Sequence, residues 1–404
     1  MELHPSAEKI LEKTGPRDLR LDFFRGLSLF FIFVDHIPDN SLSYFTVPLI
    51  AFNDAAEVFI FISGYTAALV YGRALLHRGF LFSTAQILRR VWQLYVAHIF
   101  LFVIYTAEVS YSVLTFSNPL FYDESRVGDF LVAPHIAVIE TLFLQFQPTF
   151  LDILPLYIVL LGTFPLVLLL LRRHSLLALL PSLGLYIGAQ RFDLALTAYP
   201  QDHLWFFNPF AWQFLFVIGG TLGYGRVTGR NLLPDRRWLI WPAGLFAVFA
   251  AIVNVSWMIH GIEDSFPGLL LKELWPIDKN NLALLRLVNF LALATLVMYF
   301  VSPDSAFLRM RIVLPVLLCG RQSLHVFCVG ILLSVLGHFI LTELYSGITM
   351  ELVVNGIGFS LMVGTAALVE WYRKMDRYPP PLSSPSSSTP LSPNTQASLL
   401  GDLQ

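Results

Sequence analysis

Two side chains in one apolar run carry chemistry that the rest of the chain must position. Arg25 and His36 lie eleven positions apart in RLDFFRGLSLFFIFVDH. On a helix, eleven steps of 100° close to within about 20° of whole turns and rise roughly 16 Å. A guanidinium and an imidazole therefore share one face, one toward each end of the same rod. An extended coenzyme A arm, from pyrophosphate to thiol, is of comparable length. An acyl-CoA resting its phosphates on Arg25 would bring its thioester to His36. Imidazole is the usual general base for a hydroxyl nucleophile, because its pKa lies near working pH. The plainer reading is a snorkelling arginine and an interfacial histidine.

Further ionisable groups interrupt other apolar runs, where charge is costly and faces a cavity or a partner. Asp54 and Glu57 precede FIFISGY. Glu57 falls near the depth of His36, where a carboxylate would hold the imidazole in one tautomer. The plainer reading of both acids is a helix start. Arg73, Arg78, Arg89 and Arg90 gather before WQLYVAH, and the last two begin a helix. Arginine forks suit phosphate oxygens. In CGRQSLHVF, Arg321, Ser323 and His325 enter an apolar run, with Arg321 and His325 on one face. Arg321 is assigned either a phosphate or the distal carboxylate of a dicarboxylic acyl group. Arg286 is read as interfacial or glycan-facing, and His98 and His338 as satisfied bundle histidines. Gly219, Gly220 and Gly223 read as a helix-packing stripe. Cys319 and Cys328 lie too far apart on one helix to bridge. No zinc pattern is present, and no metal is expected.

These groups belong to a membrane protein. The 404 residues are 56% hydrophobic and 13% charged, with a mean hydropathy of +0.65. A soluble domain carries about 25% charged residues. A net charge of −2 offers no basic excess for nucleic acid. Apolar segments near the length of a bilayer span fall at 21–37, 47–70, 87–109, 153–171, 176–189, 209–224, 239–259, 282–301, 312–336 and 351–371. The segment 136–146 is too short and reads as re-entrant or interfacial. The first run is expected to stay as a signal-anchor. With ten spans and a cytoplasmic N-terminus, 19 of the 26 Lys and Arg fall inside and four outside, as the positive-inside rule requires. The expected fold is an all-α integral membrane bundle of about ten transmembrane helices with both termini cytoplasmic. It divides into a cytoplasmic arm 1–17, a transmembrane domain 18–377, and a disordered Pro/Ser-rich cytoplasmic tail 378–404.

Taken together, these stretches resemble a known family. RLDFFRGLSLFFIFVDH, FIFISGY and CGRQSLHVF resemble the signatures of membrane acyltransferase family 3. The longer stretches DFFRGLSLFFIFVDHIPDNSLSYFT, DAAEVFIFISGYTAA, LRRVWQLYVAHI and CGRQSLHVFC are similar to its OpgC-like branch, over 17–373. That resemblance implies an enzyme of the bacterial inner membrane. It would take cytoplasmic succinyl-CoA and acylate hydroxyls of a periplasmic glucan. His36 and Arg25 match the family's essential His and Arg; Arg89 and Arg90 match its basic pair. The expected partners are an acyl-CoA donor, a periplasmic glucan and membrane lipid. Oligomeric state, a homodimer included, stays open, as does the choice between direct transfer and an acyl-histidine intermediate. Acetyl transfer to another surface polysaccharide, and a polytopic transporter or flippase, are the alternatives.

Overall fold

The computed structural model describes residues 18–116, 126–200, 203–230, 237–258, 277–345 and 347–377. The expected arm 1–17 and tail 378–404 lie outside the described residues. Each of the ten apolar segments holds helix. The sequence supplies the start signals: Asp18 caps the first helix by accepting Arg20 N–H at 3.1 Å, and Asn208 caps another whose first residue is Pro209.

In chain order, α1 is Leu19–Asp35, α2 Ala55–Arg78 and α3 Phe80–Phe116. The short α4 (Val127–Val132) and α5 (Pro134–Leu142) follow, then α6 Ile153–Arg173, α7 Ser175–Phe192, α8 Pro209–Thr228 and α9 Ile240–Met258. The last four are α10 Leu284–Phe300, α11 Leu314–Arg321, α12 Ser323–Phe339 and α13 Ile348–Arg377. A two-stranded hairpin, β1 Thr197–Ala198 with β2 His203–Leu204, precedes α8. Among the described residues, six helical stretches are long and apolar enough to cross a membrane: Ala55–Arg78, Phe80–Phe116, Ile153–Arg173, Arg237–Trp257, Ser323–Leu344 and Ile348–Asp376. Their outward faces carry large apolar side chains, among them Phe100 and Leu114 on α3 and Trp241 and Leu245 on α9. That surface suits lipid.

α3 overruns the expected 87–109 at both ends, and the chain departs from the hydropathy pattern in three further places. The second span begins at Ala55 rather than Val47, because 3-10 turns occupy Ser41–Phe45 and Val47–Leu49 and Asp54 then opens the helix. The ninth segment is broken at Gln322 into α11 and α12, which also puts Cys319 and Cys328 on different helices. The segment 136–146 forms most of α5 and a return loop whose Phe146 bridges Tyr199.

α1 packs against α2, α11 and α12. Its contact with α11 is backbone to backbone. A Cβ on Gly26 would collide with the Val316 carbonyl, and one on Gly320 with the Asp22 carbonyl. Gly64 and Gly219 do the same for α2 and α8. The glycine stripe is thus helix contact, as small residues in membrane bundles allow.

Candidate functional site

The end of α1 fixes His36. Its amide N–H donates to the Ile32 carbonyl at 3.1 Å, and its ring Nδ1 meets the same oxygen at 2.5 Å. A carbonyl only accepts, so Nδ1 carries the proton and Nε2 keeps its lone pair. The imidazole is oriented by backbone rather than by a carboxylate. Phe150 packs edge-on against the ring, 4.3 Å between centroids at 75°. Phe150 sits at φ +73°, a left-handed conformation that costs energy for a bulky residue and clusters at functional sites.

Two cavities lie along the face of α1 that carries Arg25 and His36. The first, of about 190 Å³, is lined by Arg25, Thr66, Tyr71, Arg90, Tyr157 and Ser323 among others. The second, of about 340 Å³, is lined by His36, Asp35, Asp54, Arg126, Asp152 and Lys279, with Phe150, Phe206 and Phe207. Ile153 and Phe327 line both. An isoleucine and a phenylalanine side chain therefore form the shared wall. In the first cavity Arg25 donates to Thr66 Oγ1 at 2.8 Å. In the second, burial pushes the Asp152 carboxyl up to about 6, against the pull of Lys279. Burial also opposes the Lys279 charge, but the Asp54 carboxylate beside it outweighs that and holds the ammonium above its ordinary pKa.

Asp54 and Glu57 are committed elsewhere. Glu57 accepts the Asp54 N–H at 3.0 Å and Asp54 accepts the Ala56 N–H at 2.8 Å, a capping box at the start of α2. Glu57 is fully buried and pairs with Arg286 at 2.6 Å. Asp54 pairs with Lys279 at 2.6 Å and with Arg286 at 3.2 Å. Two acids and two bases thus neutralise one another, and neither carboxylate bonds His36. Arg286, expected at the interface or on a glycan, is instead buried in this cluster. The arrangement follows from desolvation: a buried charge without a partner is not tolerated.

The structure brings Arg25, Arg90 and Ser323 to one cavity and His36 and Asp54 to the other. Arg89, Arg321 and His325 line neither. Arg89 is exposed on α3. Arg321 lies 3.6 Å from Asp22, at the opposite end of α1 from His36, which does not suit a role at the distal end of an acyl group. His98 is buried, and among the described residues neither ring nitrogen finds a hydrogen-bond partner, so it is not the satisfied histidine expected. The sequence reading missed Phe150, Arg126, Asp152 and Lys279. All four sit in connections, and their one signal was charge or aromaticity beside an apolar run.

No curated protein and no solved structure matches the chain. A family model described as OpgC protein matches residues 17–374, over the same helices that carry both cavities. The chain therefore belongs to the OpgC protein family, and membership implies a membrane acyltransferase role in glucan modification.

Proposed function

We propose that the protein transfers a succinyl group from cytoplasmic succinyl-CoA to a hydroxyl of a periplasmic glucan, through a ten-span bundle in the bacterial inner membrane with both termini cytoplasmic. The bias of Lys and Arg along the chain supports the orientation. Arg25 and Arg90 take the phosphates of the donor beside Ser323. The pantetheine arm displaces Phe327 and Ile153 and delivers the thioester to the cavity of His36. There the glucan hydroxyl attacks the thioester carbonyl while His36 Nε2 accepts its proton. The carbon–sulfur bond breaks, and the proton passes from Nε2 to the departing thiolate. Phe150, Phe206 and Phe207 offer apolar faces to a sugar ring, and the acids beside them offer hydrogen-bond acceptors to its hydroxyls.

The observation that carries this reading is the single shared wall between a cavity holding Arg25 and a cavity holding His36. The test is release of free thiol by the purified protein, with succinyl-CoA or acetyl-CoA and with or without glucan. Glucan-dependent release is expected. No release from either donor would refute the reading and favour a transporter.

A further inference from the structure

The charged groups that line the cavity of His36 are not equally occupied. Asp54 holds Lys279 and Arg286 and accepts a backbone N–H. Asp35 and Asp152 line the same cavity, and the Asp152 carboxyl feels the Arg126 charge. Lys279 is spent on Asp54, and its ammonium also lies over Phe207 and Phe206, 5.5 and 5.8 Å from the ring centroids. Arg126 differs. It lines the same cavity, yet among the described residues no hydrogen bond or ion pair engages its guanidinium. Its backbone is left-handed, at φ +58°, just ahead of α4. Such a conformation costs energy in a residue other than glycine and persists only where the surroundings impose it. A partly buried guanidinium with a carboxylate nearby but none in hydrogen-bond contact keeps its forked donors open to an anion.

We infer that Arg126 recognises the free carboxylate of a dicarboxylic acyl group on the donor, which makes it the residue that selects succinyl over acetyl. The assignment rests on the acyl-CoA reading proposed above. A thioester carbonyl delivered to His36 would place a short acyl chain inside the same cavity. A planar guanidinium meets a carboxylate through two parallel hydrogen bonds, a match that an acetyl methyl group lacks. The charges facing Arg126 across the cavity are Asp35, Asp54, Asp152, Lys279 and His36. Lys279, the cation among them, is neutralised by Asp54, and His36 is the neutral base. Among the described residues lining the cavity, Arg126 is the cation whose guanidinium no hydrogen bond or ion pair engages.

The test compares kcat/KM for succinyl-CoA and acetyl-CoA in the full-length protein and in Arg126→Gln and Arg126→Lys, with glucan as acceptor. The wild type is expected to prefer succinyl-CoA. Arg126→Gln should lower the succinyl-to-acetyl ratio roughly 10- to 100-fold, the worth of a charge-assisted pair. Arg126→Lys should restore part of that ratio. Turnover of acetyl-CoA in both variants shows that they fold. An unchanged ratio in Arg126→Gln, or a wild type without preference, would overturn the assignment while leaving the acyltransferase reading intact. Failure of the wild type to release thiol from either donor would remove the acyl-CoA reading, and the role of Arg126 with it.

Discussion

Replacing Glu57 separates two roles for one carboxylate. If Glu57 orients His36, as its depth in the sequence suggests, Glu57→Ala should leave the fold intact and remove catalysis. The geometry gives the other role. Glu57 is fully buried and 2.6 Å from a guanidinium that is itself 10% exposed. Removing one member of such a pair costs about 3–5 kcal/mol, because the other charge stays behind. Asp54 remains 3.2 Å from Arg286, so the lower end, about 3 kcal/mol, applies here. An unfolding entropy near 2.1 cal/mol/K per residue over the chain makes that a fall of roughly 4 °C in thermal midpoint. The double variant Glu57→Gln with Arg286→Met removes both charges. It should recover most of the loss, since an apolar replacement of a buried pair is often neutral. The assay is thermal unfolding in detergent, read beside glucan acylation. A stable, inactive Glu57→Ala would refute this reasoning and return the carboxylate to the imidazole. So would a double variant no more stable than the single one.

Three further outcomes follow from the same geometry. Arg25→Ala should weaken acyl-CoA binding about 10- to 100-fold, the range of a charge-assisted contact, and leave glucan binding much less affected; equal acyl-CoA dissociation constants for variant and wild type would remove Arg25 from the donor site. Gly320→Ala pushes a methyl group into the Asp22 carbonyl and should cost about 1–3 kcal/mol of stability. Gly162→Ala, with open space around its Cβ, should cost nothing, and equal melting of the two would contradict the close approach of α1 and α11. Asp152, lifted to about 6 when folded, favours folding while protonated. Its contribution is complete below the unfolded carboxylate pKa, near 3.9, and is lost as pH rises through about 6. Asp152→Asn should therefore be more stable than wild type at pH 8 and equal to it at pH 4; a constant offset across that range would dismiss the burial of this carboxyl.

Much of the bundle was legible because apolar runs of span length leave the chain few choices in lipid. The placement of Arg25 and His36 on one face was legible for the same reason: helix geometry is local and fixed. The partners of Asp54 and Glu57 were not, since Lys279 and Arg286 stand more than two hundred positions away along the chain. What the local pattern did hold was Asp-x-x-Glu, a capping box, and the box is there. Arg321 found Asp22 through the contact of Gly26 with Gly320, a tertiary fact. Phe150 and Arg126 owe their places to left-handed backbone in connections, where no periodicity signals a direction.

A structure of the protein with a non-hydrolysable acyl-CoA analogue bears most directly on the account. The pyrophosphate should lie on Arg25 and Arg90, the pantetheine arm between Ile153 and Phe327, and the carbonyl carbon within about 3–3.5 Å of an acceptor hydroxyl that reaches His36 Nε2. A donor bound on the far side of that wall, with its carbonyl out of reach of His36, would contradict it.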